Sequence, residues 1–254
     1  MDISTECIVS NDSSVLSVRG LRKNYGKGDA LVRAVDGVDL DVAPGETVAI
    51  MGPSGCGKST LLHILGGLDR PTAGEVRLGG RRIDQLGEGD LARMRRTDVG
   101  FVFQAFHLME ELTAVENVEV SSLLAGSSRR EARASALHLL ERVGLSDRAN
   151  FLPSELSGGQ RQRVAVARAL SNQPLVVLAD EPTGNLDSAS TLDVLQLFDD
   201  LHKAGQTLMV VTHDTRIAAT ADRLISMRDG GFIDDTRLTG GTSGNLGDLA
   251  GLEG

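Results

Sequence analysis

The chain has 254 residues, of which 41% are hydrophobic and 24% are charged. These fractions are typical of globular domains and exclude a disordered, collagen-like or fibrous chain. With 26 basic and 35 acidic residues, the net charge is −9, which repels a phosphate backbone, so we expect no nucleic-acid partner.

The two ends and the cysteines give expectations about location. Residues 1–14 contain three acids and no apolar stretch, the opposite of a signal peptide, and no run approaches the ~20 apolar residues of a membrane span. Cys7 and Cys56 have no metal-type spacing with the histidines, so we expect neither a disulfide framework nor a zinc site. We therefore expect a cytosolic chain with flexible ends at 1–14 and 239–254.

The first 85 residues have the pattern of β-structure around one strand–loop–helix unit. Apolar and acidic residues alternate over 38–42, which predicts a half-buried strand, and Pro44-Gly45 then predicts a turn into a second strand at 47–51. Gly79-Gly80 separates two short apolar-containing segments, which predicts a hairpin.

From about residue 113 to 143 the period becomes helical. Thr113 and Glu116 predict a capping box, and Gly144 predicts the end of the helical stretch. Its expected apolar face is formed by Leu137, Leu140 and Val143. After Ser157, helices alternate with apolar strands at 175–179 and 207–211, which predicts a parallel sheet covered by helices.

A glycine-rich loop is the sharpest chemical motif. It reads Gly52-Pro53-Ser54-Gly55-Cys56-Gly57-Lys58-Ser59, between the strand at 47–51 and a predicted helix at 60–65. Such a loop directs backbone N–H groups at a β-phosphate, its lysine bridges the β and γ oxygens, and its serine hydroxyl ligates Mg²⁺. For Cys56 we expect a small filler on the outer side of the loop rather than a reactive thiol.

Two further motifs follow at the C-terminal side. The apolar strand at 175–179 delivers Asp180 and Glu181 at its carboxyl end, where open α/β sheets bind ligands. Asp180 is suited to the magnesium shell, and Glu181 to polarising a water in line with the γ-phosphate. The third motif, Leu156-Ser157-Gly158-Gly159-Gln160, precedes a predicted helix at 161–170 and is a second glycine-rich helix start suited to anions.

In this order, the three motifs resemble the nucleotide-binding subunit of an ABC transporter, over residues 15–235. The resemblance implies an α/β P-loop NTPase, the ABC ATPase fold, with a RecA-like parallel-sheet core, an N-terminal antiparallel β subdomain and a helical subdomain at about 105–165. It also implies one ATP-binding domain spanning 15–238.

The resemblance assigns further roles position by position. Tyr25 matches the aromatic residue that stacks on adenine, with a buried strand tyrosine as the alternative. Gln104 matches the glutamine that touches Mg²⁺ and faces the membrane partner, with an ordinary strand-end residue as the alternative. Asp187 matches a dimer contact and His213 the γ-phosphate histidine.

The resemblance thus implies three sets of site residues. The implied nucleotide-binding set is Tyr25, residues 52–59 of the loop, Thr60, Ser157, Gly158, Gly159 and Gln160. The implied metal set is Ser59, Gln104 and Asp180, and the implied catalytic set is Glu181, His213 and Gln104.

The segments 180–188 and 101–108 are similar to the branch of lipoprotein-release, macrolide-efflux and cell-division ABC ATPases. This similarity implies an ATP-hydrolysing motor that dimerises head-to-tail around two Mg-ATP, the LSGGQ of one copy closing over the ATP of the other. It implies a separate integral membrane permease with an extracytoplasmic domain, and a location at the cytoplasmic face of the membrane. Met109-Glu110-Glu111 departs from the Leu-Pro turn common in this branch.

Other classes of ABC protein fit the sequence less well. A soluble ABC ATPase acting on DNA carries a long coiled coil between the P-loop and LSGGQ, but Lys58 and Ser157 are only 99 positions apart here, without sustained heptads. Ribosome-acting members usually fuse two cassettes, whereas this chain has one. A regulatory module without turnover is disfavoured by the presence of Glu181 and His213.

An acidic stretch lies between Gln104 and Ser128, where no Lys or Arg occurs. Its four carboxylates are Glu110, Glu111, Glu116 and Glu119. Two interpretations remain open: a solvated acidic face, or an acidic groove rim that steers a basic helix of the membrane partner.

Overall fold

The computed structural model describes residues 14–238. The predicted flexible ends, apart from residue 14, and Cys7 lie outside this range. Within 14–238, no helix combines the length and the apolar character needed to cross a membrane.

Ten strands and seven α-helices form the described part of the chain. The strands are β1 Leu16–Tyr25, β2 Val32–Val42, β3 Thr47–Met51, β4 Ala73–Leu78, β5 Arg81–Arg82, β6 Val99–Phe103, β7 Val176–Asp180, β8 Leu208–Val211, β9 Arg223–Arg228 and β10 Gly231–Arg237. The helices are α1 Lys58–Leu65, α2 Glu88–Thr97, α3 Ala114–Leu124, α4 Arg129–Arg142, α5 Gly158–Leu170, α6 Ser188–Lys203 and α7 Thr215–Ala219.

The strands form two sheets. An antiparallel sheet has the order β2-β1-β4-β5, and a six-stranded sheet has the order β10-β9-β3-β8-β7-β6. In the larger sheet β9, β3, β8, β7 and β6 run parallel, and β10 pairs antiparallel with β9. This is the expected α/β architecture with an N-terminal antiparallel β subdomain.

The register of the parallel sheet fixes where the functional loops begin. Val211 lies opposite both Ile50 and Asp180, and Asp180 lies opposite Phe103. The loops that follow β3, β8, β7 and β6 therefore leave the sheet side by side at its carboxyl edge. This is the edge at which open parallel sheets bind ligands.

Burial of apolar side chains holds the layers together. One core joins the antiparallel sheet to α1 and the neighbouring faces of β3 and β8. A second core lies among α3, α4, α5, α6 and the opposite face of β7 and β8. The central strands are buried on both faces, which explains their continuous apolar sequences.

The helical segment differs from expectation in one detail. The capping box of Thr113 and Glu116 is present at the start of α3, and α3 and α4 are separate helices. Leu140 and Val143 are buried, but Leu137 is exposed, because the face predicted by its spacing is not covered by a neighbouring element at that point. The three residues thus keep the spacing of one helix face, but only two of them are buried.

Candidate active site

The glycine-rich loop joins β3 to α1 in a conformation that side chains would obstruct. Gly57 has a φ of 107°, and a Cβ on it would lie 1.9 Å from the backbone oxygen of Ala34. A Cβ on Gly52 would lie 2.1 Å from the backbone oxygen of Met227. Gly57 also forms the N-cap of α1 without a side-chain cap, so the start of this helix presents its N–H groups and its positive dipole end to the loop.

Two side chains of the loop point to phosphate and metal chemistry. Lys58 is buried, and its Nζ donates hydrogen bonds to the backbone oxygens of Gly52 at 2.8 Å and Pro53 at 3.1 Å. The Ser59 hydroxyl donates to Oδ1 of Asp180 at 3.0 Å. A hydroxyl and a carboxylate oxygen thus meet beside the loop, and this donor set fits Mg²⁺, which prefers oxygen ligands.

Cys56 does not face outward. Its side chain is only 6% exposed and packs in the first hydrophobic core, so the expectation of a filler on the outer side of the loop was wrong. The loop turns this residue inward because Gly52 leaves space for its sulfur, which lies 2.9 Å from where a Cβ on that glycine would be.

A cavity of 380 Å³ lies against the loop. Its lining includes Gly57, Lys58, Ser59 and Thr60, together with residues 32–34 of β2 and the Asp229-Gly230 turn between β9 and β10. Sequence reasoning missed the last two segments, because neither has a motif and only the fold brings them to the loop.

Tyr25 lies at the end of β1 opposite Val32, which lines this cavity. Its side chain is 44% exposed, which excludes the alternative of a buried strand tyrosine. Its hydroxyl donates to Oδ2 of Asp69 at 2.6 Å. Burial and this hydrogen bond to Asp69 raise the pKa of Tyr25 above its ordinary value.

Glu181, directly after β7, and His213, two residues after β8, contact each other. Oε2 of Glu181 lies 2.7 Å from Nδ1 of His213 and also accepts the backbone N–H of His213 at 3.3 Å. Glu181 has a φ of 46°, a left-handed conformation that is uncommon for a residue with a side chain and is concentrated at functional sites. Its N–H donates to the backbone oxygen of Val211 at 2.9 Å, which ties the strained residue to the sheet.

Gln104 lies at the same sheet edge, directly after β6. Its Nε2 donates to Oδ1 of Asn185 at 3.3 Å, and Nδ2 of Asn185 donates to the backbone oxygen of Gln104 at 3.1 Å. The structure thus brings Ser59, Asp180, Glu181 and His213 together and connects Gln104 to the loop after β7.

The second glycine-rich motif begins α5. The Ser157 hydroxyl accepts the N–H of Gln160 at 3.2 Å, and Oε1 of Gln160 accepts the N–H of Ser157 at 2.9 Å. A Cβ on Gly159 would lie 2.6 Å from Ser190 of α6, so this glycine permits close helix packing. α5 packs on α3, α4, α6 and β6, whereas α1 packs on β2, β7 and β8. The two glycine-rich helix starts therefore belong to different layers.

Asp187 caps the neighbouring helix, α6. Its Oδ1 accepts the N–H of Ser190 at 2.7 Å. Hydrogen bonds from the backbone N–H and the side chain of Ser190 lower the pKa of Asp187 below its ordinary value.

A groove of 330 Å³ opens between α2, β6, α3 and α5. Phe101, Phe103 and Leu124 give it apolar walls. Its basic lining residues hydrogen-bond backbone oxygens: Arg95 donates to Gly67, Arg96 to Leu124 and Arg168 to Phe106.

The four carboxylates of the acidic stretch do not line this groove. Glu116 is used in the capping box of α3, and Glu119 lies 3.6 Å from Arg133. Glu110 and Glu111 are exposed. Glu110 and Glu111 thus have the exposure of a solvated face, whereas Glu116 and Glu119 are partly buried.

Comparison with known proteins agrees with this geometry. Residues 35–184 match the family model described as ABC transporter. The chain is 50% identical over 226 residues to the macrolide export ATP-binding/permease protein MacB of Rhodopseudomonas palustris strain HaA2, covering 89% of this chain and 34% of that protein. It is 48% identical over 223 residues to MacB 1/2 of Paracoccus denitrificans, covering 88% of this chain and 33% of that protein. The chain thus spans about one third of the length of these relatives.

A solved structure gives the same result. The dimeric post-hydrolysis state of the ATP-binding cassette MJ0796 bound to ADP and Pi is 42% identical and superposes with a TM-score of 0.82, covering 89% of this chain and 99% of that one. A second dimeric structure of MJ0796, a bacterial ABC transporter cassette, is 43% identical with the same TM-score and coverage. The chain belongs to the ABC transporter family and has the fold of its ATPase cassette.

Proposed function

We propose that this chain is the ATP-hydrolysing motor of a membrane transporter and works as a head-to-tail dimer around two Mg-ATP. One observation supports this most directly: the uncapped start of α1 meets Asp180, Glu181 and His213 at a single sheet edge. A phosphate-binding helix start, oxygen ligands for a metal and an acid–base pair at one edge are the requirements of phosphoryl transfer to water.

The proposed nucleotide contacts follow the cavity. The residues of the P-loop and Thr60 hold the phosphates through backbone N–H groups and Lys58, whose ammonium exchanges its carbonyl partners for β and γ oxygens. Tyr25 stacks on adenine at the other end. Ser59, Asp180 and Gln104 would hold Mg²⁺, and the metal would supply positive charge that stabilises the transferring phosphoryl group.

The proposed reaction is attack of water on the γ-phosphorus. The new bond forms to the water oxygen, the bond from the γ-phosphorus to the β–γ bridging oxygen breaks, and ADP leaves. Glu181 orients the water and accepts its proton, while His213 holds the Glu181 carboxylate and contacts the γ-phosphate. The 2.7 Å contact of these two side chains supports their acting together.

A second copy completes the proposed site. The start of α5 lies in a different layer from the start of α1, so Ser157, Gly158, Gly159 and Gln160 of one copy are free to close over the ATP of the other. The MJ0796 cassettes were solved as dimers, which supports this assembly. Asp187 lies at the start of α6, beside the glycines of this motif, and we assign it to the dimer contact.

The membrane partner is proposed from the groove and from the relatives. The MacB proteins are named ATP-binding/permease proteins, and we infer a permease of this kind, with an extracytoplasmic domain, at the cytoplasmic face of the membrane. Arg95, Arg96 and Arg168 with apolar walls favour docking of an acidic amphipathic segment of that permease. The charge expected of this segment is therefore the opposite of the basic helix that an acidic rim would attract.

The decisive experiment uses Glu181→Gln. The amide keeps the size of the side chain but accepts no proton, so we expect turnover to fall at least about 100-fold while the Kd for Mg-ATP stays within about twofold. Sedimentation with Mg-ATP should show a trapped dimer, and the trapped dimer captured from detergent-solubilised membranes should retain the permease.

Glu141→Gln, an exposed carboxylate on α4, is the matched control and should hydrolyse ATP like the wild type. Wild-type turnover in Glu181→Gln would remove this residue from its proposed role. A monomer with ATP bound would argue against the dimeric motor.

A further inference from the structure

Three polar side chains form a cluster next to Val32, which lines the cavity at the P-loop. The family resemblance assigns a role to only one of them. The cluster consists of Tyr25 and Lys23 of β1 and Asp69, which follows α1. One carboxylate oxygen of Asp69, Oδ2, accepts the Tyr25 hydroxyl at 2.6 Å, and the other, Oδ1, accepts Nζ of Lys23 at 2.6 Å. Asp69 thus holds both residues of the strand.

Lys23 occupies one face of the tyrosine ring. Its Nζ lies 4.8 Å from the ring centroid and also donates to the backbone oxygen of Arg70 at 2.8 Å. The Lys23 side chain is only 12% exposed, so the ammonium is fixed in this place, where its attraction to the ring face is favourable. The 44% exposure of Tyr25 leaves part of the ring accessible to a ligand.

The cluster is attached to the helix that begins at the P-loop. The N–H of Asp69 donates to the backbone oxygen of His63 in α1 at 3.3 Å. The ring and the phosphate-binding loop are therefore connected through one rigid element before any nucleotide binds.

We propose that Asp69 is a positioning residue for ATP: it holds Tyr25 with one ring face against Lys23 and leaves the other face for adenine, at a set distance from the P-loop. This inference rests on the proposed role of Tyr25. Its physical basis is preorganisation, because a ring fixed before binding loses little conformational entropy when the base arrives.

The ionisation of Asp69 is consistent with this role. Partial burial would raise the pKa of its carboxyl, but hydrogen bonds from Lys23, Tyr25 and the N–H of Arg70 lower it below its ordinary value. The carboxylate is therefore charged at neutral pH and accepts all three donors.

The sequence provides a built-in probe, because Tyr25 is the single tyrosine and the chain contains no Trp. Tyrosine fluorescence of the full chain therefore reports on this ring alone. We expect Asp69→Ala and Tyr25→Phe each to raise the Kd for Mg-ATP about two- to tenfold, the usual range for one lost hydrogen bond. The double variant should bind no more weakly than the weaker single one, because both changes break the same contact.

A ligand without a base separates positioning from general damage. Asp69→Ala should leave the Kd for Mg-tripolyphosphate unchanged, and it should reduce the quenching of tyrosine fluorescence by saturating ATP. The matched control is Asp41→Asn in β2, which breaks an ion pair with Arg19 of 2.7 Å in the same antiparallel sheet. It should change neither affinity.

The outcomes are distinguishable. Wild-type ATP affinity in Asp69→Ala, with weakened binding in Tyr25→Ala, would overturn the role of Asp69 and leave that of Tyr25 intact. Equal loss of ATP and tripolyphosphate affinity in Asp69→Ala would also overturn it, since the P-loop itself would then be affected. Unchanged ATP affinity in Tyr25→Ala would overturn the proposed adenine contact and this inference with it.

Discussion

The two glycine-rich helix starts of the molecule differ in whether side chains hydrogen-bond their first backbone N–H groups. At the start of α1, Gly57 is the N-cap and no side chain caps the helix. At the start of α5, Ser157 and Gln160 form a complete capping box. One start therefore keeps its amide groups open, as the proposed phosphate contacts require, while the other is already stabilised by its own side chains.

The largest expected effect comes from obstructing the open start. Gly57→Ala would place a Cβ 1.9 Å from the Ala34 oxygen in a left-handed conformation, so the P-loop has to shift. We expect the Kd for Mg-ATP to rise about 100-fold or more, measured by isothermal titration calorimetry. Gly126→Ala is the matched control, because it has a φ of 103° with nothing within 4 Å of the added Cβ.

The control variant should lose about 1 to 2 kcal/mol of unfolding free energy from backbone strain and bind ATP normally. Circular dichroism of both variants separates a deformed loop from an unfolded chain. A folded Gly57→Ala variant with wild-type affinity would show that the loop geometry is not required for nucleotide binding.

A smaller effect is expected at the start of α5. The start of α4 has the same kind of cap and allows a comparison. Ser157 caps α5 with Gln160, and Ser128 caps α4 with Glu131. Replacing either serine by alanine should lower the unfolding free energy by about 1 kcal/mol. Only Ser157→Ala should reduce ATP hydrolysis, by about tenfold, because only this start is proposed to contact the nucleotide of the second copy.

The measurements are thermal unfolding, calorimetric ATP affinity and turnover at several protein concentrations. ATP affinity of the single chain should be unchanged in both variants. If Ser128→Ala and Ser157→Ala lose the same fraction of turnover, the effect belongs to helix stability and the special role of α5 is refuted.

Part of this contrast can be predicted from the sequence alone. The P-loop, LSGGQ and the strand ending at Asp180 were predictable, because glycine conformations and helix starts depend on a few consecutive residues. The ABC transporter family and the α/β fold followed from their order and were confirmed. The assigned roles of individual residues remain proposals.

The features that could not be predicted depend on distant segments. Residues 32–34 and the Asp229-Gly230 turn reach the cavity at the P-loop only because β2 and β9 lie beside that loop in the folded chain. The arginine-lined groove combines four elements, and no local pattern indicates such a surface. Leu137 has the spacing of a buried residue, but spacing does not reveal whether another element covers it.

The smallest expected effect concerns the third position of each capping box, where α3 and α4 have Glu116 and Glu131 but α5 has Gln160. Hydrogen bonds from the hydroxyl and the N–H of Ser128 lower the pKa of Glu131. Because the folded-state pKa is lowered, the stabilisation is present above the unfolded value of about 4.3 and is lost as the pH falls through the folded value. The Gln160 amide does not titrate, so the cap of α5 has no such dependence.

We therefore expect Glu131→Gln to unfold at a slightly lower temperature than the wild type at pH 7, and the two melting curves to converge as the pH falls below about 4. Gln160→Ala should differ from the wild type by an amount that does not vary over the same range. A pH-independent difference for Glu131→Gln would contradict the charged cap. A neutral amide in α5 also keeps negative charge away from the place where a second copy's γ-phosphate is proposed to dock, because a carboxylate there would repel it.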